Sequence, residues 1–399
     1  MLIHGLDPNE EQVMALRQAA INQKLSISRL IPERWPPSQD TPVHRLPYAD
    51  RMLDLVVAVN LALERLQILK AEELLRVLRP GGKAFIGYAG DPVQESDRYG
   101  LVEWAGSQGL SNDLREDAHG AWIILTGQLP AKTDDWSHWE HGPDNNPVSH
   151  DEVIRAPYMT HWLGLPYYIA MPAITTASGG RTFVAMGHIA HHVREEPWLN
   201  TLLARNGYNG EELWRKRLPD GYLAHRSAFI ATPDTFHMIG PDGESCLLLD
   251  PETGREKGRI RFADVTGEWK WIALQDGVLY VLTGEEPDPA ETTIVRSKGT
   301  HWSWGELSKG YYTPSVPWGH GQTLVAYDKA SDNILWTIRE QTPIDSRTLA
   351  IGGGRVFYLC PEAKVAAVDA RTGGPVWSNE EPSLRTLIAE EGRGLSSTP

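Results

Sequence analysis

A short phrase that recurs four times constrains the fold of this 399-residue chain more than any other feature. Each copy has Asp or Asn, a turn residue four positions later and, in three copies, Trp eight positions later. We expect an apolar strand to end at the Asp, whose side chain can hydrogen-bond to the backbone of the turn. A glycine then takes the left-handed position, and the next strand carries its Trp into the core. The copies are Asn206/Gly210/Trp214, Asp250/Gly254/Gly258, Asp328/Asp332/Trp336 and Asp369/Gly373/Trp377.

The spacing of the copies predicts an array of four-stranded sheets. Consecutive copies are 44, 78 and 41 residues apart, which suits propeller blades of which one carries an insertion. We therefore predict that residues 131–399 are all-β and form a partial β-propeller of about four blades. An open array leaves a blade edge uncovered, so we expect a chain that is truncated at both ends. The predicted blades lie near residues 172–218, 227–262, 270–340 and 345–380.

Charge and composition argue against several classes of partner. The formal net charge of −14 disfavours nucleic acid and anionic membranes, because both favour a basic face. No apolar run reaches the length of a membrane span, and the first residues lack the pattern of a signal peptide. The two cysteines, Cys246 and Cys360, lie in different repeats, and no C-x-x-C-H motif for covalent haem occurs.

Residues 1–130 alternate between strand and helix patterns, which predicts an α/β domain. One strand is expected over Met1–Leu6, and another over Leu53–Val59, whose apolar run is typical of burial on both faces of a parallel sheet. A helix is expected over Leu63–Leu78, ending at the turn Arg79-Pro80-Gly81-Gly82. The other expected elements are helices over 9–22 and 101–109 and strands over 25–30, 83–88 and 121–126.

The pieces HGLD, LPYADRMLDLVVAVN and EELLRVLRPGGKAFIGY resemble the second half of class I S-adenosylmethionine-dependent methyltransferases. The resemblance implies a partial Rossmann-like domain in which Asp7 holds the ribose hydroxyls of the cofactor and Asn60 lies near its methionine part. The first strand and the glycine-rich loop of that family have no counterpart here, so we expect weak binding of S-adenosylmethionine. Asp7 also fits a helix N-cap or a solvated turn carboxylate, and neither role needs a cofactor.

The phrase DDWSHWEHGPDNN resembles the opening strand of proteins with pyrroloquinoline-quinone-like (PQQ-like) propeller repeats, and the four Asp–Gly–Trp phrases extend that resemblance over residues 131–399. The pairing of both halves resembles a group of bacterial proteins of planctomycete type. Quinoprotein dehydrogenases carry a vicinal cysteine pair near the quinone and carboxylates for calcium, but no Cys-Cys pair occurs here. The repeats therefore imply a fold, while the cofactor, PQQ or S-adenosylmethionine, stays undetermined. The resemblance also implies export to the cell envelope or periplasm.

Two histidine-rich stretches offer metal-ligand chemistry, and a structural role is expected for each. The HIAHH stretch at residues 188–192 matches no standard metal-site spacing, which favours a polar loop. His138 and His141 lie close to Asp134 and Asp135 in sequence, but strand alternation would place residues three apart on opposite faces. The sequence therefore predicts no metal site.

An aromatic insertion within the third predicted blade, between residues 284 and 322, is the main candidate for a ligand surface. Its rings could stack on a sugar ring or a flat cofactor above the propeller face. The alternative is that they pack together as a small core under their own loop. The residues concerned are Trp302, Trp304, Tyr311, Tyr312 and Trp318.

The leading functional hypothesis is a non-catalytic binding or assembly scaffold, whose propeller face binds a small molecule or a protein. Two enzymatic alternatives stay open. One is a quinoprotein dehydrogenase-like oxidoreductase completed by further sequence, and the other is an S-adenosylmethionine-dependent methyltransferase. No serine, cysteine or paired-carboxylate constellation stands out in the sequence as a catalytic site.

Overall fold

The computed structural model divides into two units, Met1–Pro130 and Ala131–Pro399, here called unit 1 and unit 2. Each unit has its own buried core, and they are described separately below. The structure describes residues 3–25, 30–36, 45–90, 92–110, 114–158, 160–167, 169, 171–189, 193–219, 222, 224, 227–284, 319–361 and 363–381.

Unit 1 is an α/β arrangement with two sheets among its described residues. Its elements are β1 (Ile3–Asp7), α1 (Glu10–Asn22), β2 (Leu30–Arg34), β3 (Leu53–Val59), α2 (Leu63–Ile68), α3 (Ala71–Val77), β4 (Leu78–Ala89), α4 (Glu95–Ser107), β5 (Leu114–Asp117) and β6 (Gly120–Thr126). Strands β1 and β2 pair in parallel, and the second sheet has the order β3-β4-β6-β5. In that sheet β3 and β4 are parallel, while β6 is antiparallel to both of its neighbours.

Local sequence signals explain where the helices of unit 1 begin and what they bury. The side chain of Asn9 accepts a hydrogen bond from the Glu11 N–H at 2.9 Å, so Asn9 caps the start of α1. In α4 the fully buried Trp104 packs in the core and donates its indole N–H to the Leu69 carbonyl at 2.9 Å. This bond satisfies a buried indole and fixes the chain between α2 and α3.

Several details of unit 1 differ from the sequence prediction. Strand β2 begins at Leu30, where the expected strand over 25–30 ends, and residues 26–29 lie outside the described residues. The single helix expected over Leu63–Leu78 is two short helices, separated where Leu69 adopts an extended backbone conformation. The Arg79-Pro80-Gly81-Gly82 turn lies inside β4, where Gly81 at φ +76° accommodates a register shift against β3.

Strand β3 is also less buried than its apolar sequence predicts. Leu55 and Val57 are 54% and 56% exposed, although the prediction placed both faces of the strand in the core. Among the described residues β3 pairs with β4 on one side only, so it lies at an edge of its sheet. The parallel pairing of β3 with β4 is confirmed, whereas the complete Rossmann-like topology stays a prediction.

Unit 2 is built from four antiparallel, four-stranded sheets that follow one another along the chain. Sheet 1 contains β7 (Met171–Ser178), β8 (Arg181–Ile189), β9 (Thr201–Asn206) and β10 (Glu212–Arg217); sheet 2 contains β11 (Phe229–Ala231), β12 (Phe236–Ile239), β13 (Ser245–Leu249) and β14 (Glu256–Arg261); sheet 3 contains β15 (Glu268–Gln275), β16 (Val278–Gly284), β17 (His320–Asp328) and β18 (Asn333–Asp345); sheet 4 contains β19 (Ala350–Gly352), β20 (Arg355–Cys360), β21 (Lys364–Asp369) and β22 (Pro375–Asn379). Each sheet is a simple up-and-down meander, as in a propeller blade. The expected β-sheet character is confirmed for the described residues of unit 2.

The recurring Asp–Gly phrase forms the turn between the third and fourth strands of each sheet, as predicted. Asp250 Oδ1 accepts hydrogen bonds from the N–H groups of Glu252 at 3.0 Å and Thr253 at 2.8 Å. Asp369 makes the equivalent bonds at 3.0 and 2.8 Å in sheet 4. The residue four positions after the Asp or Asn has positive φ in every copy, at 74°, 68°, 58° and 69°.

Trp214 and Trp336 pack on the turn of the following sheet, whereas Trp377 is 42% exposed, so the expectation that each phrase tryptophan enters the core is wrong for Trp377. Trp214 of sheet 1 donates its indole N–H to the Pro251 carbonyl in the turn of sheet 2, at 3.0 Å. A Cβ atom added to Gly254 in that turn would lie 2.6 Å from the Trp214 ring. Trp336 of sheet 3 meets Gly373 of sheet 4 in the same way, at 2.8 Å. The turn glycine is therefore required by its φ angle and also by the neighbouring indole.

The one turn without glycine follows the one sheet without the tryptophan. Sheet 2 has Gly258 at the tryptophan position, and the next turn, in sheet 3, has Asp332 at the glycine position. Because sheet 2 has no tryptophan at this position, no such indole packs on the turn of sheet 3. The Asp332 side chain is therefore tolerated there at φ +58°. Asp332 instead accepts a hydrogen bond from the Tyr327 hydroxyl. Upstream of sheet 1, Trp162 packs on Gly210 as the phrase tryptophans pack on their glycines.

Candidate functional site

A stretch at the beginning of unit 2, Trp136–Asn145, joins all four sheets and is here called the central segment. It contacts the first strand of every sheet, which is the strand at one edge of each meander. Because this stretch precedes all four sheets in sequence, each of these contacts is formed over a long chain separation. The hydrogen bonds are Trp136 N–H to Ala177 O at 2.8 Å, Ala231 N–H to Ser137 O at 2.9 Å, Leu274 N–H to His138 Nε2 at 3.1 Å and Ile351 N–H to Pro143 O at 2.8 Å.

His138 is an internal acceptor of the central segment. Its side chain is buried, and burial, assisted by the nearby His141, lowers the pKa of His138 to about 3. The imidazole is therefore neutral at physiological pH. Its Nε2 accepts the Leu274 N–H, so the proton lies on Nδ1, which is 2.7 Å from the Ser137 hydroxyl oxygen. His138 thus fixes the segment against sheet 3.

A cavity lies between the central segment and the first strands of sheets 2, 3 and 4. Arg347 supplies a cation whose Nε donates to Asp345 Oδ1 at 2.8 Å, and Glu140 supplies a carboxylate. Aromatic faces come from Phe229 and Trp271. The cavity is small, about 30 Å³, so these groups line a space for roughly one or two water molecules. The lining residues are His138, Trp139, Glu140, Gly142, Pro143, Asn145, Ser227, Phe229, Trp271, Ile272, Ala273, Ser346, Arg347 and Leu349.

Sequence reasoning did not find this cavity. Trp271 and Arg347 lie in ordinary strand and turn contexts, and no motif distinguishes them from other residues of the repeats. The one sequence signal for this cavity was the DDWSHWEHGPDNN phrase, which contains Glu140. The phrase indicated an opening strand, but it did not indicate which strands that segment would contact.

The four residues considered as a cation site separate into two groups. Asp135 accepts hydrogen bonds from the Ser178 hydroxyl at 2.6 Å and the Gly179 N–H at 3.2 Å, so it is bound to sheet 1. Asp134 and His141 come together, with His141 Nε2 2.7 Å from Asp134 Oδ2. The expected strand alternation does not apply, because His138 and His141 pair with each other across a tight turn.

The predicted cofactor residues of unit 1 both follow parallel strands but belong to different sheets. Asp7 ends β1, and its Oδ1 accepts the Asn9 N–H at 2.7 Å. Asn60 follows β3 at φ +54°, and its side-chain oxygen accepts the Ala89 N–H at 2.8 Å, which ties the ends of β3 and β4 together. Ligands of α/β folds bind at the carboxyl ends of parallel strands, so both positions stay cofactor predictions.

The predicted aromatic ligand surface lies outside the described residues and stays a prediction. It comprises Trp302, Trp304, Tyr311, Tyr312 and Trp318. The side chains of the HIAHH stretch at 188–192 are also outside the described part of the chain.

Two family models match separate parts of the chain. Residues 1–86 match a model described as a methyltransferase domain. Residues 320–396 match a PQQ-like repeat model described as outer membrane protein assembly factor BamB. The chain carries a methyltransferase domain and PQQ-like repeats. Both family resemblances predicted from the sequence are thereby confirmed.

The chain is also similar to parts of two curated cytochrome c-linked enzymes. It is 30% identical over 148 residues to a lupanine 17-hydroxylase [cytochrome c] of a Pseudomonas species, covering 33% of this chain and 20% of the relative. It is 23% identical over 136 residues to a 1-butanol dehydrogenase (cytochrome c) of Thauera butanivorans, covering 30% and 19%. The matched region thus spans about a fifth of the length of each relative.

Solved structures give weaker similarities. The quinohemoprotein alcohol dehydrogenase of Comamonas testosteroni is 13% identical, with a TM-score of 0.38, over 63% of this chain and 42% of that one. BamB of Moraxella catarrhalis is 15% identical, with a TM-score of 0.31, over 52% and 47%. These scores are too low to inform function. Within the described residues, no helix combines the length and apolar character needed to span a membrane.

Proposed function

We propose that unit 2 is a binding or assembly scaffold, and that its partner, a protein or a small molecule, binds over the central cavity. The observation that carries the proposal is the central segment, which is hydrogen-bonded to the first strand of all four sheets. A surface fixed in this way is organised before binding, so little conformational entropy is lost when a partner binds. Arg347 and Glu140, which line the cavity, give that surface charges of both signs.

The family description of the repeats, an assembly factor of outer membrane proteins, supports an assembly role and a location in the cell envelope or periplasm. The cysteines favour a scaffold over a quinoprotein dehydrogenase. Cys246 and Cys360 lie in sheets 2 and 4, both are buried, and no vicinal pair exists in the sequence. The dehydrogenase alternative is supported by the partial similarity to two cytochrome c-linked enzymes.

A second candidate function concerns unit 1 alone. The match of residues 1–86 to a methyltransferase domain favours binding of S-adenosylmethionine, with Asp7 and Asn60 as the predicted contacts. Asn60 already uses its side-chain oxygen to hold the Ala89 N–H, so a cofactor would contact its amide nitrogen. The carboxylate of Asp7 keeps one oxygen beyond the bond from Asn9, and that oxygen could accept a ribose hydroxyl.

Calorimetric titration of the full chain distinguishes these functions. PQQ in the presence of calcium, and S-adenosylmethionine, are each added to the purified protein. The scaffold proposal expects no tight one-to-one binding of either. Stoichiometric tight binding of PQQ would replace the proposal with the dehydrogenase function. Tight binding of S-adenosylmethionine that is lost in Asp7→Asn would support unit 1 as a cofactor-binding domain with Asp7 as a contact.

A charge-reversal pair tests the position of the partner surface. Wild-type protein, Glu140→Lys and Glu211→Lys are used as baits in extracts of the source organism. Glu140 lines the central cavity, whereas Glu211 is an exposed turn residue of sheet 1 outside it. We expect a partner that is recovered with wild type and Glu211→Lys but not with Glu140→Lys. Equal recovery with all three baits would place the partner elsewhere on the molecule.

A further inference from the structure

Three side chains at the beginning of unit 2 bring metal-ligating atoms together. They are Asp134, His141 and His150, here called the Asp134 cluster. One ligand atom from each side chain lies within 4.8 Å of the other two. His141 Nε2 is 2.7 Å and His150 Nδ1 is 3.8 Å from the same Asp134 oxygen, Oδ2. Two imidazole nitrogens and one carboxylate oxygen therefore surround a common point.

The spacing of these atoms is close to that of a tetrahedral metal site. Zinc bonds of about 2.0–2.2 Å at tetrahedral angles place neighbouring ligand atoms roughly 3.3 Å apart. The two observed separations, 2.7 and 3.8 Å, lie on either side of this value. The His150 side chain is 79% exposed, so its imidazole has room to rotate toward the other two ligands. An ion would replace the hydrogen bond between His141 Nε2 and Asp134 Oδ2, with any Nε2 proton released to solvent, and rotation of the His150 imidazole would complete three bonds.

The surroundings hold the first two ligands in place. The His141 side chain is 11% exposed and packs edge-on against the Trp136 ring, with ring centres 5.3 Å apart. His141 has φ +74°, a conformation that few residues other than glycine adopt. Asp134 Oδ2 accepts the His150 N–H at 2.6 Å and the Ser149 hydroxyl at 3.2 Å. Such outer contacts orient metal ligands in known sites.

We propose that the Asp134 cluster binds one divalent transition-metal ion of the zinc type. Two imidazoles and one carboxylate suit zinc and its transition-metal neighbours, whereas calcium and magnesium prefer a shell of oxygens. Three protein ligands leave a fourth position, which water fills in an exchangeable site. The net charge of −14 raises the local concentration of cations around the protein.

A bound ion would crosslink two parts of the chain that flank the central segment. Asp134 lies two residues before Trp136, where the segment begins, and His150 lies beyond Asn145, where it ends. The ion would therefore hold the ends of the segment together. Because an ion that binds only the folded chain stabilises it, the thermal midpoint should rise with metal concentration. This inference does not depend on the scaffold proposal, since it needs no partner.

The test uses tag-free, full-length protein that has been treated with a chelator and then titrated with zinc chloride by calorimetry. We expect one zinc per chain. His150→Ala should weaken binding at least about tenfold, and Asp134→Asn should do so as well. His161→Ala removes an exposed histidine outside the cluster and should bind as wild type does. Cobalt(II) should give the intense visible absorption of a tetrahedral site in wild type but not in His150→Ala.

Two results would overturn the inference. One is the absence of zinc binding by the wild-type chain. The other is binding with equal affinity by wild type and His150→Ala, which would mean that the metal is held elsewhere. His150 is exposed, so its replacement should leave the fold intact even if Asp134→Asn does not fold. The thermal midpoint is the second measurement: zinc should raise it in wild type and in His161→Ala only.

Discussion

The packing of Trp336 on the turn of sheet 4 predicts a specific energetic coupling between that indole and Gly373. Replacing Gly373 by Ala forces a side chain to adopt φ +69°, which costs about 1–2 kcal/mol. The new Cβ would also lie 2.8 Å from the Trp336 ring, and relieving such an overlap costs about 1–3 kcal/mol more. Gly373→Ala should therefore lower the free energy of unfolding of unit 2 by about 2–5 kcal/mol.

A double-mutant cycle separates the two costs. Trp336→Ala alone should cost about 3–5 kcal/mol, because the side chain is 8% exposed and donates to the Ala370 carbonyl at 2.9 Å. In the Trp336→Ala background, Gly373→Ala should cost only the backbone part, about 1–2 kcal/mol. The coupling energy should thus be about 1–3 kcal/mol. Urea denaturation of the full chain, followed by far-ultraviolet circular dichroism, measures all four proteins.

Asp332→Ala is the matched control for this cycle. It changes the equivalent turn position of sheet 3, where the preceding sheet has Gly258 in place of a tryptophan. The hydrogen bond from the Tyr327 hydroxyl is lost, and Ala is less favoured than Asp at φ +58°, so the expected cost is about 1–2 kcal/mol. A cost of Gly373→Ala that is the same with and without Trp336 would contradict the coupling between this indole and the turn.

Further measurements address the buried groups of unit 2. Burial, and then the neighbouring Lys329, lowers the pKa of His237 from 6.5 to about 3. The unfolded chain therefore binds more protons between these values, and about 2–3 kcal/mol of stability should be lost between pH 7 and pH 4.5. His237→Gln should remove this part of the pH dependence of the urea midpoint; an unchanged slope would contradict the assignment. Burial raises the pKa of the Cys246 and Cys360 thiols to about 12, so a thiol reagent should label neither in the folded chain and both in urea. Trp162→Ala should destabilise unit 2 by about 2–4 kcal/mol in the same urea assay, because Trp162 packs on Gly210 of sheet 1; a cost below about 0.5 kcal/mol would show that this packing contributes nothing.

The turns of unit 2 were predictable because their determinants are local. Asp250 and Gly254 lie four residues apart, and the hydrogen bonds that define the turn are made within that span. Which turn each tryptophan contacts was not predictable, since Trp214 contacts a turn that begins 36 residues later, in another sheet. A strand pattern predicts that one face is buried but not what buries it. The exposed Leu55 and Val57 of unit 1 follow the same rule.

The residues of the candidate site were even harder to predict from local sequence. The central segment was recognised as the opening of the repeat region from its own sequence. Its contacts depend on residues as far away as Arg347, whose carbonyl accepts a hydrogen bond from Asn145 across 202 positions. The Asp134 cluster was missed because the expected strand alternation separates residues three apart, whereas a tight turn at His138 and His141 changes their directions.

The central segment has a consequence for how unit 2 loses its structure. In a linear array each module touches only its neighbours, so terminal modules can fray while the middle persists. In unit 2 the central segment contacts Ala177 in sheet 1 and Ile351 in sheet 4, so it links the first and the last sheet directly. If the central segment detaches from sheet 1 or from sheet 4, the direct link between these two sheets is lost. Melting should accordingly be concerted across the four modules, with backbone amides at Ala177 and Ile351 exchanging with solvent at similar rates.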